Sequence, residues 1–244
     1  GVLIQGNANH NTVADNVIGL SDAGNALGNS GPGAKILGPS NNNTIGGDTA
    51  GERNYIGSNT GNGVEIARGA IGGEAALDNV VQGNRIGLGF FDDEVVPNLD
   101  GIDITGATGT VIQDNLISGH ATHIGIDLRD VTGTRILSNF IGTNSDAESA
   151  VPNGIGIFLK GASTDNDIGD MNESPNVISG NASAGITMTA SVSGTTIVDN
   201  RIGVDVDGKE ALGNGGDGIQ LPGSNNTVGG SEDEPEREFV LVKF

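Results

Sequence analysis

The sequence predicts an all-β solenoid of about eight coils, with three short parallel strands in each coil. Three observations lead to this fold class. Three short apolar motifs recur in the same order along the 244 residues, at a mean interval of about 31 residues. Ile and Val together number 43 against 14 Leu, which favours strands over helices. Gly and Asn together number 70, so turns must be frequent.

The first motif reads Gly-apolar-x-apolar and predicts the first strand of each coil. Its two apolar side chains are expected to point inward and the residue between them outward, because side chains alternate along a strand. The motif occurs at Gly1–Ile4, Gly63–Ile66, Gly101–Ile104, Gly125–Leu128, Gly156–Leu159, Gly185–Met188 and Gly218–Leu221, and Ala34–Leu37 takes its place in the second coil.

The second motif pairs Asn or Thr with a following aliphatic residue and predicts the second strand. It occurs at Asn11–Val13, Asn43–Ile45, Asn79–Val81, Thr110–Ile112, Thr134–Ile136, Asn166–Ile168, Thr196–Val198 and Asn226–Val228. The third motif, Asn-x-Ile followed by Gly or Ser, predicts the third strand. Its asparagines are expected to stack into an internal amide ladder that holds turns rather than ligands. They are Asn16, Asn54, Asn84, Asn115, Asn139, Asn176 and Asn200.

The composition excludes several classes of function. The formal charge is −20, from 31 acidic and 11 basic residues, and a chain this acidic repels nucleic acid. No apolar run approaches the roughly 18 residues of a membrane span. The absence of Cys rules out disulfides and thiolate metal sites.

Four long connections lead from a third strand to the next coil, at 20–33, 88–100, 143–153 and 204–217, and alternate with short ones. They are acidic, with Asp22, Asp92, Asp93, Glu94, Asp146, Glu148, Asp205, Asp207 and Glu210. Asp205, Asp207 and Glu210 resemble half of a calcium loop without its full ligand pattern. The alternative interpretation is a solubilising edge that blocks lateral strand pairing.

The outward residues of the first strands form the candidate site. In coil order they are Leu3, Lys35, Glu65, Asp103, Asp127, Phe158, Thr187 and Gln220. Glu65, Asp103 and Asp127 would lie on consecutive coils, with neighbours about 5 Å apart. Like charges this close repel, so a shared proton or cation such as Ca²⁺ is one alternative and simple solvation is the other. The next outward position adds Arg129 and Lys160, and the preceding return adds His120 and His123.

Two chemistries suit this patch. In calcium-assisted β-elimination, the carboxylates would hold Ca²⁺, and Arg129, Lys160 or a histidine would be the base. In hydrolysis, Asp103 and Asp127 would be the acid–base pair, at a separation that fits retention better than inversion. A solvated acidic face is the alternative that needs no chemistry. Asp100 is interpreted as repeat text, because Asp100-Gly-Ile102 recurs as Asp217-Gly-Ile219.

The motifs at 43–57, Asn-Thr-Ile-Gly-Gly followed by Arg-Asn-x-Ile-Gly, and at 212–219, Leu-Gly-Asn-x-Gly-Asp-Gly-Ile, resemble the parallel β-helix repeat family. That family lies within the pectate-lyase-like superfamily, and the resemblance covers nearly the whole chain. It implies a right-handed parallel β-helix in a secreted or surface-attached bacterial protein. Relatives include polysaccharide lyases, hydrolases, uronate epimerases, phage tailspikes and proteins without known chemistry, so the resemblance predicts fold better than activity.

The leading functional prediction is a non-catalytic extracellular or cell-surface scaffold that binds glycans or divalent cations. The second is a secreted lyase or glycoside hydrolase acting on acidic polysaccharide through the outward row. The third is a filament or tailspike-like assembly that stacks end to end. We expect one β-helix domain over 1–244, a fragment or mature segment of a longer secreted chain. Its atypical segment 231–244 would be a cap or a truncation.

Overall fold

The computed structural model describes residues 1–69, 73–91, 94–170 and 172–229, together with the backbone of 239–240. Within these residues the chain forms 24 strands in three parallel sheets of eight, and each coil contributes one strand to each sheet. The predicted parallel β-helix of about eight coils is therefore confirmed. Asp92 and Asp93 and most of the segment 231–244 lie outside the described residues.

The strands are numbered along the chain. The first sheet consists of β1 (Val2–Ile4), β4 (Ala34–Leu37), β7 (Val64–Ala67), β10 (Ile102–Thr105), β13 (Ile124–Arg129), β16 (Ile155–Lys160), β19 (Ile186–Met188) and β22 (Ile219–Gln220). The second sheet consists of β2 (Thr12–Val13), β5 (Thr44–Gly46), β8 (Val80–Gln82), β11 (Val111–Gln113), β14 (Arg135–Leu137), β17 (Asp167–Ile168), β20 (Thr196–Ile197) and β23 (Thr227–Val228). The third sheet consists of β3 (Val17–Ile18), β6 (Tyr55–Ile56), β9 (Arg85–Ile86), β12 (Leu116–Ile117), β15 (Phe140–Ile141), β18 (Val177–Ile178), β21 (Arg201–Ile202) and β24 (Phe239–Val240).

The hydrophobic core is a column of aliphatic side chains enclosed by the three sheets. Ile36, Ile66 and Ile104 stack on successive coils of the first sheet and are fully buried. The inward positions of the other two sheets are likewise aliphatic, mostly Ile. A strand of two to six residues cannot bury such side chains alone, so the core exists only because coils stack on one another.

The pairing of the first sheet keeps one register through all eight coils. The partners run from Leu3 with Lys35 to Thr187 with Gln220, without a shift. Equivalent motif positions therefore share one row along the sheet. A slip of one residue would turn the aliphatic side chains outward, so the core fixes this register.

The asparagines of the third motif form a continuous ladder along the turn between the second and third sheets. Each Nδ2 donates to the Oδ1 of the next coil at 2.8–3.1 Å, through Asn16, Asn54, Asn84, Asn115, Asn139, Asn176 and Asn200. The residue before several of these asparagines has positive φ, for example Asp114 at 54° and Asp199 at 51°. Asp and Asn tolerate that conformation better than most residues, which explains their frequency in these turns.

A second ladder follows the return from the third sheet to the first sheet. Its members are Asn29, Asn59, Asn98, His120, Asn153, Asn181 and Asn214. All but Asn29 are buried. The three sequence motifs do not predict this ladder.

The four long returns each close an antiparallel bridge, between Leu20 and Ala26, Leu88 and Val95, Thr143 and Ala150, and Val204 and Ala211. They occur on alternate coils, as the spacing of the motifs predicts. A 3-10 helix at Ala50–Glu52 lies in the insertion after β5. None of the described helices is long and apolar enough to cross a membrane.

Candidate functional site

The register brings the predicted carboxylates together on the outer face of the first sheet. Asp103 pairs with Glu65 on one side and with Asp127 on the other, so the three lie on consecutive coils. We call Glu65, Asp103 and Asp127 the carboxylate row. β7, β10 and β13 hold it on a rigid sheet rather than on loops, which fixes the spacing of the side chains.

Asp100 joins this row, although its sequence context gave no reason to single it out. One carboxylate oxygen from each of Asp100, Asp103 and Asp127 lies within 4.8 Å of the other two. Among the described residues this is the only group of three or more acidic or histidine side chains that converge in this way. Ca²⁺ binds oxygen at about 2.3–2.6 Å, so oxygens on one ion lie no more than about 5 Å apart. The three carboxylates therefore fit a shared cation.

Lysines pair with the two ends of the row. Lys160 Nζ lies 2.5 Å from Asp127 Oδ2, and Lys35 Nζ lies 2.6 Å from Glu65 Oε1. The Lys160–Asp127 pair is the more buried of the two, with side-chain exposures of 16% and 6%. Asp103 lies between these ion pairs. Thr105 Oγ1 lies 3.5 Å from Asp103 Oδ1, which is long for a hydrogen bond.

Asp127 keeps one oxygen without a hydrogen-bond partner. Its Oδ2 accepts from Lys160, whereas its buried Oδ1 accepts from no group. A buried unpaired carboxylate oxygen costs free energy, so such an atom needs an explanation. Asp127 also belongs to the group of three carboxylates, and a cation held by that group would account for the second oxygen.

Burial and crowding raise the pKa of Asp103 to about 6. Desolvation is the main cause, and the negative charges of Asp127 and Glu65 act in the same direction. Burial also raises the pKa of Asp127, against the hydrogen bond and charge of Lys160. Asp103 is therefore a carboxyl group that titrates near pH 6, and a bound cation would displace its proton into solvent.

His123 and Arg129 lie at opposite edges of the patch. His123 is half exposed, and its Nδ1 lies 3.9 Å from Asp100 Oδ1, which also accepts the backbone N–H of Ile124. Arg129 pairs in register with Lys160 on the next strand, and its side chain is exposed. Both residues are accessible to a ligand lying across the first sheet.

Phe158 follows Asp127 in the same outward row. Lys160 Nζ lies 5.1 Å from the centre of its ring, within the range of a cation–π contact. The same lysine thus contacts the carboxylate on one coil and the aromatic ring on the next.

His120 lies away from this surface. It is 1% exposed, and both ring nitrogens have partners in the second ladder, so the ring cannot reach a ligand on the first sheet. Burial lowers its pKa to about 4. These contacts argue against the predicted role of His120 as a catalytic base.

The acidic return of coil seven does not bring its three carboxylates together. Backbone N–H groups of the same loop, that of Lys209 first, hold the pKa of Asp205 below its usual range. Asp207 pairs with Lys209 at 3.0 Å, and both side chains are exposed. Asp205 stabilises the loop, and Glu210 joins neither residue in a ligand group. The structure therefore gives no support to the predicted weaker calcium loop.

A cavity of about 240 Å³ lies on the outer face of the third sheet, where Arg53, Leu116 and Phe140 contribute to its wall. It includes none of the predicted catalytic or metal-ligating residues. The carboxylate row lies on a different sheet, on the outer face of the first sheet.

Comparison of the sequence with protein-family profiles and with functionally curated proteins finds no match. Comparison of the fold with solved structures finds matches. The A-module of mannuronan C-5 epimerase AlgE6 from Azotobacter vinelandii aligns over 93% of this chain, with a TM-score of 0.58 and 18% identity. The chain is a right-handed parallel β-helix.

The A-module of mannuronan C-5 epimerase AlgE4 from the same organism aligns over 86% of this chain, with a TM-score of 0.47 and 16% identity. The chain spans 55% of the AlgE6 module and 66% of the AlgE4 module. At these identities the likeness concerns the fold, and a β-helix supports many activities.

Proposed function

We propose that this chain is part of an extracellular protein that binds a divalent cation, Ca²⁺ above all, together with an acidic polysaccharide on its first sheet. The observation that carries the proposal is the convergence of Asp100, Asp103 and Asp127 within 4.8 Å, with Asp127 Oδ1 buried and unpartnered. Oxygen ligands in variable number suit Ca²⁺ better than they suit Zn²⁺ or Cu²⁺.

A cation would offset the repulsion among the carboxylates of Asp100, Asp103 and Asp127. Three carboxylates this close repel one another, and Lys160 neutralises only Asp127 directly. A divalent ion would neutralise Asp103 as well and would accept the free oxygen of Asp127. Further coordination positions would remain open toward solvent, because the row lies on an outer sheet face.

The polysaccharide part of the proposal rests on what surrounds the row. Arg129 and Lys160 supply cationic donors on one edge, and Phe158 supplies a ring face on the following coil. An acidic sugar polymer offers carboxylates to the cation and to these donors, and apolar sugar faces to the ring. The outer face of the first sheet continues over eight coils, which suits an extended polymer better than a small compact ligand.

The cation is tested by isothermal titration calorimetry with CaCl₂ on the metal-free protein. We expect saturable binding of one Ca²⁺, reduced at least tenfold in affinity by Asp103→Asn, since that change removes a charged ligand. Glu148→Gln, an exposed carboxylate on the return 143–153, is the matched control and should bind as the parent does. Equal Ca²⁺ affinity in parent and Asp103→Asn would refute the site.

A second candidate function is catalysis on a uronate polymer, and the pKa of Asp103 near 6 is the observation that favours it. In β-elimination a base removes the proton on C5, and its electron pair forms the C4–C5 double bond. The C4–oxygen bond breaks, and the leaving oxygen takes up a proton. Asp103 would act in one of these two proton transfers, and Lys160 or His123 would take the other.

Absorbance of the unsaturated product during incubation with polyuronates tests elimination. Proton NMR in D₂O tests the same C5 proton removal without chain cleavage, because deuterium would then appear at C5. Binding of a polyuronate with neither signal would leave the non-catalytic proposal standing. Either signal, lost in Asp103→Asn and kept in Glu148→Gln, would establish the catalytic one.

A further inference from the structure

The second ladder has one direction, and His120 is its only member among the described residues that is not an asparagine. On the N-terminal side, Asn59 Nδ2 donates to Asn98 Oδ1 at 2.8 Å. On the C-terminal side, Asn153 Nδ2 donates to Asn181 Oδ1 at 3.1 Å. The imidazole stands between these two bonds, at the position where other coils place an amide.

The neighbours of the ring fix where its proton must be. Asn98 Nδ2 also donates to the carbonyl of Ile56, so the amide orientation of Asn98 is set independently and its Nδ2 faces His120 Nε2 at 3.4 Å. Asn153 Nδ2 donates to the carbonyl of Ile117, so its Oδ1 faces His120 Nδ1 at 3.0 Å. Nε2 must therefore accept a hydrogen bond and Nδ1 must donate one. This is the neutral ring protonated on Nδ1.

His120 is hydrogen-bonded to the segment that carries His123 and to the segment that carries Asp100. Its carbonyl accepts the N–H groups of His123 and Gly154 at 2.9 and 2.8 Å. Its ring holds Asn98, two residues before Asp100, and Asp100 Oδ1 in turn accepts the N–H of Ile124. A change at His120 therefore acts on the position of Asp100 without any contact with a ligand.

We propose that His120 is a positioning residue: its neutral, Nδ1-protonated ring replaces an amide in the second ladder and, through Asn98, holds Asp100 at the carboxylate row, while its backbone carbonyl holds His123. The part that concerns Ca²⁺ rests on the function proposed above, whereas the protonation of the ring and the position of Asp100 do not. Burial and the nearby charge of His123 both oppose a positive charge on His120, in agreement with this state.

The protonation state is tested by nitrogen NMR of the ¹⁵N-histidine-labelled protein from pH 5 to 8. The chain has three histidines, and the His120→Asn variant assigns the signals of His120 by their loss. We expect a protonated Nδ1, a bare Nε2 and no titration over this range. A protonated Nε2, or a titration near the ordinary histidine pKa of about 6.5, would overturn the proposal.

The positioning role is tested with two variants. His120→Asn restores an ordinary ladder amide, whereas His120→Leu interrupts the ladder with a side chain of similar bulk. We expect amide hydrogen exchange at Ile124 to remain slow in His120→Asn and to accelerate in His120→Leu, because the Asp100 bond that protects it is displaced. Equal protection of Ile124 in a folded His120→Leu would contradict positioning.

Calcium titration separates this proposal from the previous one. We expect His120→Leu to weaken Ca²⁺ binding about tenfold, as residues behind a metal ligand commonly do, and His120→Asn to stay within about twofold of the parent. Unchanged affinity in His120→Leu would refute the link to the cation site. Absence of Ca²⁺ binding in the parent would refute the cation site, and the NMR and exchange results would still decide the role of His120.

Discussion

The amide ladders and the carboxylate row have the same geometry, but the ladders consist of neutral side chains inside the coil and the row consists of charged side chains on its outer face. Both place side chains at one position on successive coils, a few ångströms apart. Inside, identical neutral amides gain from this repetition, because each is donor and acceptor at once. Outside, repeated like charges repel one another, and Lys35 and Lys160 pair with the two ends of the row as counterions. Repetition therefore stabilises the interior, and the departures from repetition define the candidate site.

The largest expected effect is inside. Asn139 is fully buried, and its side chain accepts from the backbone and Nδ2 of Asn115 and donates to Asn176 and two carbonyls. Asn139→Ala leaves several of these groups unpaired, so we expect a loss of about 4 kcal/mol in unfolding free energy. Urea denaturation measures it, with exposed Asn25→Ala as the control. A loss below about 1 kcal/mol would mean that the ladder does not stabilise the coil.

The next effect compares two lysine–aspartate pairs. Lys160→Met leaves the charge of Asp127 buried without its partner, and we expect a loss of about 3 kcal/mol. Lys209→Met breaks the exposed pair with Asp207 and should cost no more than about 1 kcal/mol. The same denaturation experiment measures both. If added Ca²⁺ restores the stability of Lys160→Met, the cation replaces the lysine as counterion. Equal losses in the two variants would contradict the burial argument.

The smallest effect concerns pH. The pKa of Asp103 is raised in the folded chain to about 6 from an ordinary 3.8, so the folded state binds more protons between these values. Its ionisation therefore lowers stability as pH rises from about 4 to 6, and the loss persists above pH 6. Asp103→Asn abolishes this loss, so in metal-free buffer we expect it to be about 1–2 kcal/mol more stable than the parent at pH 7.5.

At pH 4 the same variant should match the parent, because the parent carboxyl group is then largely protonated in the folded state. Thermal unfolding at both pH values provides the measurement. A variant that is destabilised at pH 7.5 would show that the ionised carboxylate stabilises the fold, which contradicts the expected cost of burying its charge.

Most of the fold can be predicted from the sequence, because aligning the repeated motifs directly gives the register of strand pairing. Once Gly101–Ile104 and Gly125–Leu128 are aligned by their motif, the pairing of Asp103 with Asp127 follows from strand periodicity alone. The ladder of third-motif asparagines is visible for the same reason. Each prediction needed only that equivalent positions superpose from coil to coil.

Two features that the sequence did not predict, the place of Asp100 in the site and the second ladder, lie in the returns, where the spacing between motifs varies. Asp100 precedes its strand and looks like ordinary repeat text, and only the path of the return brings it to Asp103. The second ladder has a faint signal, an Asn or His three to five residues before the Gly that opens most first strands. His120 interrupts this pattern of asparagines, and a histidine close to His123 suggests catalysis instead. Both of its ring nitrogens in fact have partners in the second ladder.

The unbroken register of the first sheet has a consequence for how this surface can change over generations. All eight outward positions, from Leu3 to Gln220, present a side chain from nearly the same backbone at nearly the same height. These positions are structurally equivalent. A charged or aromatic side chain moved from one position to another keeps its orientation, and only the coil that carries it is different. New ligand specificities on such a scaffold thus require point substitutions at a few outward positions, with no new loop and no change of fold.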